Sequence, residues 1–116
     1  MESAAHELQG SNAQVLAVQL DVTDREQYAK VADEVEKQLG CVHVLCNNAG
    51  VYRGGALDAV AYEDWDWVIG VNVGGVVNGI QTWLNRIQKH GEGGHVVNTA
   101  SMAGVVTSPG LGVGGA

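Results

Sequence analysis

Gly94-His95-Val96-Val97-Asn98-Thr99-Ala100-Ser101-Met102-Ala103-Gly104 is the stretch whose reading decides the fold. A short valine-rich run, entered through glycine and left through small residues, reads as a buried parallel strand that ends by presenting a hydroxyl, that of Ser101. In an open α/β sheet, ligands bind in the crevice beyond the carboxyl ends of the strands, so Ser101 is a candidate for chemistry. Serine is also an ordinary turn former, and its position alone does not separate a working hydroxyl from a loop residue.

Working outward, Val42 to Cys46 reads as a second strand that runs into Asn47-Asn48-Ala49-Gly50. Two amides followed by two tiny residues supply hydrogen-bonding groups and a surface on which a flat ligand could lie. Val15 to Leu20 is a third apolar run, ending in Asp21-Val22-Thr23-Asp24. Thr23 and Glu26 have capping-box spacing, and Asp24 suits the positive end of a helix dipole. The helix that follows carries Tyr28, Val31, Ala32, Val35 and Leu39 on one stripe, with Gly40 placed to stop it. A longer helical pattern occupies about Tyr62 to His90, with Trp65, Val68, Ile69, Val73, Val76, Val77, Ile80, Trp83, Leu84 and Ile87 assigned to a single apolar face.

Two features interrupt that face. Asn72 falls on the stripe, where an amide costs of order 1–3 kcal/mol unless partnered, so either it holds a backbone or water network or the helical phase assigned to this pattern is off. Gly70, Gly74, Gly75 and Gly79 mark another face, and interior glycines imply close packing against a neighbouring helix of this subunit or another. Residues 1 to 13, polar and alanine-rich, read as the tail of a helix. The glycine-rich segment after Val105 carries no secondary-structure signal. Strand, helix, strand, helix, strand with helical crossovers predicts a doubly wound parallel α/β sheet of three strands and two main helices.

The 116 residues, formal charge of -7, pI near 4.8 and 46% hydrophobic content describe one globular unit at most. A chain of that size buries roughly 65% of its unfolded surface, enough for a core. The acidic balance argues against nucleic acid and against an anionic membrane surface. Neither a leader nor a spanning run is apparent, so the expected location is cytoplasmic. Cys41 and Cys46 flank one extended segment, too far apart to bridge, and read as reduced core residues. The histidines, His6, His43, His90 and His95, show no ligand spacing, and no metal is expected.

Taken together, Asp21-Val22 after one strand, Asn47-Asn48-Ala49-Gly50 after the next, Asn72 in the following helix and Ser101-Met102-Ala103-Gly104 after the last strand resemble the short-chain dehydrogenase/reductase family. Each motif is weak alone, but four in family order at family spacing are specific. The resemblance implies an incomplete Rossmann-like NAD(P)-binding domain over residues 1–116, and reversible hydride transfer between a nicotinamide cofactor, NAD or NADP, and a small alcohol or carbonyl substrate. It assigns Asp21 to the adenine amine, Val22 to the ring, and Asn48, Ala49 and Gly50 to the adenosine and ribose side. Ser101 would stabilise charge on the substrate oxygen, and Asn72 would hold a water in a proton relay.

Departures from the family pattern qualify that expectation. The family's glycine-rich pyrophosphate turn would lie before residue 1, together with two strands. The general-acid tyrosine position, about a dozen residues beyond Ser101, carries Gly114, and the lysine that assists it would fall past residue 116. The resemblance therefore implies a truncated, inactive chain with impaired cofactor binding. It also places the two missing strands between Val15–Leu20 and Val42–Cys46, predicting either a re-registered pairing of those segments or a poorly docked first unit. Two competing readings stand beside it: a non-catalytic module that pairs with full-length homologues, or as a homo-oligomer, through the 62–90 helix and its glycine face, and a flavodoxin-like domain that would bind flavin.

Overall fold

The computed structural model describes residues 2–106 and 108–115. Helix α1 spans Glu2–Gln9 and buries none of its residues. Helix α2, Arg25–Leu39, begins at an Asp24 cap whose side chain accepts from the Gln27 amide, and ends at Gly40 with φ 85°. Asp24 therefore takes the capping place expected of Thr23. The Thr23 hydroxyl is committed one step earlier, donating to Asp21 Oδ1 at 2.7 Å.

Strands β1, Val44–Asn47, and β2, His95–Asn98, form a parallel pair with Val44 opposite His95 and Asn47 opposite Asn98. The ladder continues at both ends, His95 N–H donating to His43 O and Thr99 N–H to Asn47 O. Among the described residues the sheet has these two strands, not three. Val15–Leu20 has no regular structure, because an extended segment needs a ladder partner and none lies beside it. Re-registration onto β1 does not occur; of the first unit, Val15–Leu20 stays unpaired and partly exposed, while the helix half is docked. Tyr28 and Ala32 of α2 are buried with Leu45, Trp83 and Ile87 in one cluster, and Leu20 and Val22 pack against it. Burying each of the large members stabilises by roughly 1.5–3 kcal/mol, which suffices to dock α2 without a strand beneath it. Arg86 adds a fork across the helix pair, reaching Asp33 at 2.9 Å and Glu36 at 3.0 Å.

The long helical pattern is present as one continuous path with a defect in it. Helix α3, Tyr62–Ile69, passes through a π turn at Gly70–Gly74 into helix α4, Gly75–His90. A π turn inserts an extra residue and rotates everything after it, so a single apolar face cannot persist. Val68, Gly75, Asn78, Gly79, Trp83 and Ile87 are buried, whereas Ile69, Val73, Val77 and Leu84 are exposed. The glycine side of α4 is thus the covered one, and this chain covers it. Short 3-10 turns at Met102–Gly104 and Gly112–Gly115, and a parallel bridge from Gly55 to Leu111, order the glycine-rich end that lacked a sequence signal. Cys41 and Cys46 are free thiols as expected, but exposed instead of in the core.

Candidate functional site at the carboxyl ends of the strands

Both strands end in asparagine, and the parallel register sets these two side by side. Asn47 Nδ2 donates to Asn98 Oδ1 at 2.9 Å, and Thr99 Oγ1 donates to Asn48 Oδ1 at 2.8 Å. Asn47 is only 7% exposed, so this amide pairing satisfies polar groups that would otherwise be costly at a buried strand end. Asn47 was noted in the sequence as one of an amide pair without a role of its own, and Asn98 did not stand out as a site residue.

Helix α4 approaches this edge backbone-first. A Cβ built at Gly75 would stand 2.7 Å from Val22 Cγ2, and one at Gly79 would collide with Asn47 Oδ1 and stand 3.0 Å from the Tyr28 hydroxyl. The two glycines therefore admit Val22, Tyr28 and Asn47 onto the helix surface. Asn78, buried between them, donates to Val22 O at 2.8 Å and accepts from Arg25 Nε at 3.2 Å. That amide holds the Asp21–Val22 turn against the strand end, a positioning function invisible in the spacing of the sequence. The result is a small cleft of about 40 Å³ lined by Val22, Cys46, Asn48, Ala49 and Gly75, among others.

Asp21 stands exposed beside that cleft, its Oδ1 accepting from Thr23 N at 2.9 Å as well as from the Thr23 hydroxyl. Those bonds favour the ionised form and hold the carboxyl below its ordinary range. Asn72 lies in the π turn, with Oδ1 accepting from Val51 N at 2.7 Å and Nδ2 donating to Val51 O at 2.9 Å. Of the two options for this half-buried amide, the backbone network is present and the single-face phase assigned to the helix is off as well; the amide fixes the loop directly after Gly50. Ser101 is exposed two residues beyond Thr99, its Oγ accepting from Ala103 N at 3.1 Å. Gly114, in the Gly112–Gly115 turn, brings no hydroxyl to the site. The adjoining Gly110 accepts from Gly55 N at 3.0 Å, so this turn sits over the loop that follows Gly50. The fold thus gathers Val22, Asn48 and Ala49 around one cleft, with Asp21, Gly50 and Asn72 on its border, and sets Ser101 on the β2 side of the same edge.

A model of the short chain dehydrogenase family matches residues 1–116. The chain belongs to that family. A C alpha-dehydrogenase from Sphingobium sp. is 41% identical over 109 residues, covering 93% of this chain and 36% of the relative. A short chain dehydrogenase/reductase from Burkholderia phymatum, solved in complex with NAD, superimposes with a TM-score of 0.92 at 38% identity, over 98% of this chain and 41% of its own. A gluconate 5-dehydrogenase from Burkholderia cenocepacia, solved with NADP and tartrate, gives a TM-score of 0.86 at 26% identity, over 97% of this chain and 44% of its own. The chain therefore spans less than half the length of these relatives. The two-stranded parallel pair with its crossover helices is a partial Rossmann-like α/β arrangement, and the family is one of oxidoreductases that use nicotinamide cofactors. Among the described residues no helix is long and apolar enough to cross a membrane.

Proposed function

We propose that this chain carries the central part of a nicotinamide-cofactor site, in which Asp21, Val22, Asn48, Ala49 and Gly50 receive the adenosine half of NAD or NADP and Ser101 faces the substrate. The observation that carries this reading is the parallel alignment of β1 and β2, which puts Asn47–Gly50 and Asn98–Ser101 at one edge of the sheet. The residue types suit the rim of a flat, hydrogen-bonding ligand: Val22 and Ala49 are apolar, Asn48 offers polar atoms beside them, and Asp21 is exposed next to Val22. When bound, the cofactor supplies hydride exchange with an alcohol or carbonyl carbon. The chain's own part is to orient. Asn72 fixes Val51 and so the loop after Gly50, Asn78 fixes Val22, and the Ser101 hydroxyl donates to a substrate oxygen as negative charge develops there.

This chain does not by itself complete the reaction. Proton transfer to the substrate oxygen requires an acid, and the position that the family fills with tyrosine holds Gly114. Of the three tyrosines, Tyr28 is buried against α4, Tyr52 points its hydroxyl at Gly110 O, and Tyr62 is exposed at the first position of α3. Titration of NAD and NADP into the isotope-labelled chain, followed by amide NMR, tests the reading. Shifts confined to Asp21–Thr23 and Asn47–Val51, with weak affinity and no turnover on alcohols or ketones, are the expected outcome. Shifts elsewhere, or none at millimolar cofactor, would count against the site, and clear turnover would refute the inactivity.

A second reading, pairing with full-length homologues or with itself, is favoured by the exposed stripe Ile69, Val73, Val77 and Leu84 on the outer side of the long helix. That stripe, not the glycine side, is the surface such a partner would use. Sedimentation of Val73→Glu and Val77→Glu variants decides it: the reading requires that they disperse an oligomer formed by the parent chain.

A further inference from the structure

At the opposite end of the strand pair, four side chains with no part in the cofactor edge converge. Cys41 and His43 stand one residue apart just before β1, and His90 and Glu92 one residue apart just before β2. Between the latter two, Gly91 takes φ 74°, the left-handed turn that brings Glu92 back over the end of α4. The ligating atoms of Cys41, His90 and Glu92 all lie within 4.8 Å of one another. His43 stands beside this group through Glu92 alone, its Nε2 3.4 Å from Glu92 Oε2, an oxygen that is also 3.7 Å from His90 Nδ1, and a turn of its half-exposed side chain would complete the set.

We propose that Cys41, His43, His90 and Glu92 form a four-ligand site for one divalent transition metal of the zinc type, which clips the start of β1 to the turn between α4 and β2.

Three features of the cluster support it. The first is spacing: zinc bonds of roughly 2.0–2.3 Å set the corners of a tetrahedron roughly 3.3–3.8 Å apart, and the two nitrogen–oxygen separations fall in that range while exceeding a closed hydrogen bond. The second is the orientation of His90, whose side chain is 9% exposed. Its Nε2 lies 2.7 Å from Val42 O, and because a carbonyl can only accept, Nε2 carries the hydrogen and Nδ1 keeps its lone pair toward the cluster. A backbone carbonyl on the far ring nitrogen is the usual support of a metal-bound imidazole. In the present arrangement Glu92 N–H donates to that Nδ1 at 3.1 Å, a bond that ligation replaces. The third is the donor set itself: one thiol, two imidazoles and one carboxylate suit zinc or its near neighbours and match neither calcium nor magnesium. The half-exposed His43 and Glu92 leave a path for the ion from solvent.

Cobalt(II), the spectroscopic stand-in for zinc, titrated into the tag-free reduced chain tests the proposal. The expected result is a one-to-one complex with a thiolate-to-cobalt charge-transfer band and the intense visible absorption of a tetrahedral site, both abolished by an equivalent of zinc. Cys41→Ser removes the charge-transfer band, and His43→Gln or Glu92→Gln weakens binding at least about tenfold. Cys46→Ser, which alters the chain's other thiol at the far end of β1, leaves the spectrum unchanged. All four substitutions are at exposed side chains, and far-ultraviolet circular dichroism verifies that each variant folds. Absence of the thiolate band, its survival in Cys41→Ser, its loss in Cys46→Ser, or binding of several equivalents without it would each overturn the proposal.

Discussion

The two ends of the short parallel pair are built from different chemistry. At the carboxyl end, neutral amides and hydroxyls close on one another, Asn47 with Asn98 and Asn48 with Thr99, and α4 presses its bare backbone against them at Gly75 and Gly79. At the amino end, the groups are a thiol, two imidazoles and a carboxylate, with Glu92 Oε2 3.4 Å from His43 Nε2 and 3.7 Å from His90 Nδ1. One end is shaped by packing and satisfied without help. The other has donor atoms that an ion could bring together. A strand pair of four residues each thus separates a groove that must stay preformed from a cluster that can tighten.

The sharpest way to break this contrast is to load the packed end. Gly79→Ala gains helix propensity but drives a methyl into Asn47, which Asn98 holds in place, so a net loss of about 1–2 kcal/mol is expected in denaturant unfolding. Gly74→Ala, whose added methyl would meet nothing nearer than Ile69 O at 3.8 Å, should instead stabilise by about 0.5–1 kcal/mol. Equal effects at the two positions would mean that α4 does not rest on the strand end. Asn78→Ala should cost of the same order, about 1–2 kcal/mol, by leaving Val22 O without its donor. It should also broaden the Asp21–Val22 amide resonances, which a purely global effect would not single out.

Smaller changes are expected at the amino end in metal-free solution. His90→Phe keeps the ring but loses the bond to Val42 O, for a loss of about 1 kcal/mol, while Glu92→Gln, at a half-exposed side chain, should stay within about 0.5 kcal/mol of the parent. A large loss in Glu92→Gln without metal would show the cluster to be a closed ionic network and not an open one. The least effect concerns Asp21. Its Thr23 bonds hold the carboxyl below the ordinary 3.8, so the folded state favours the carboxylate; that contribution is present above about this pH and is lost as pH falls through the lowered value. Thr23→Val should move the Asp21 carboxyl titration, read by carbon-13 NMR, back up toward 3.8.

Much of the site was legible because it follows strand ends. Asn48, Ala49 and Ser101 were candidates from their positions after Val42–Cys46 and within the 94–104 stretch, their roles came from the family resemblance, and the parallel pairing places them at one edge. Asn72 was legible as an anomaly, a polar residue on an apolar stripe, though not its partner: Val51 is 21 residues away, and nothing in either residue announces the other. The π turn at Gly70–Gly74 was not legible, since its cause is tertiary. It rotates α4 so that Gly75, Asn78 and Gly79 face the strand end, leaving Val73 and Val77 outside. For the same reason the capping of α2 moved from Thr23 to Asp24: the Thr23 hydroxyl had a nearer acceptor in Asp21.

By itself the amino-acid sequence determined the alternation of strands and helices, the family, and the residue types at the strand ends, because apolar periodicity and turn chemistry act over a few neighbours. Tertiary structure alone decided that Val15–Leu20 would lack a ladder, which side of the long helix is covered, and that Cys41, His43, His90 and Glu92 would meet. Those outcomes depend on contacts between segments distant along the chain, where the energy of a pairing is set by what lies opposite and not by what lies adjacent.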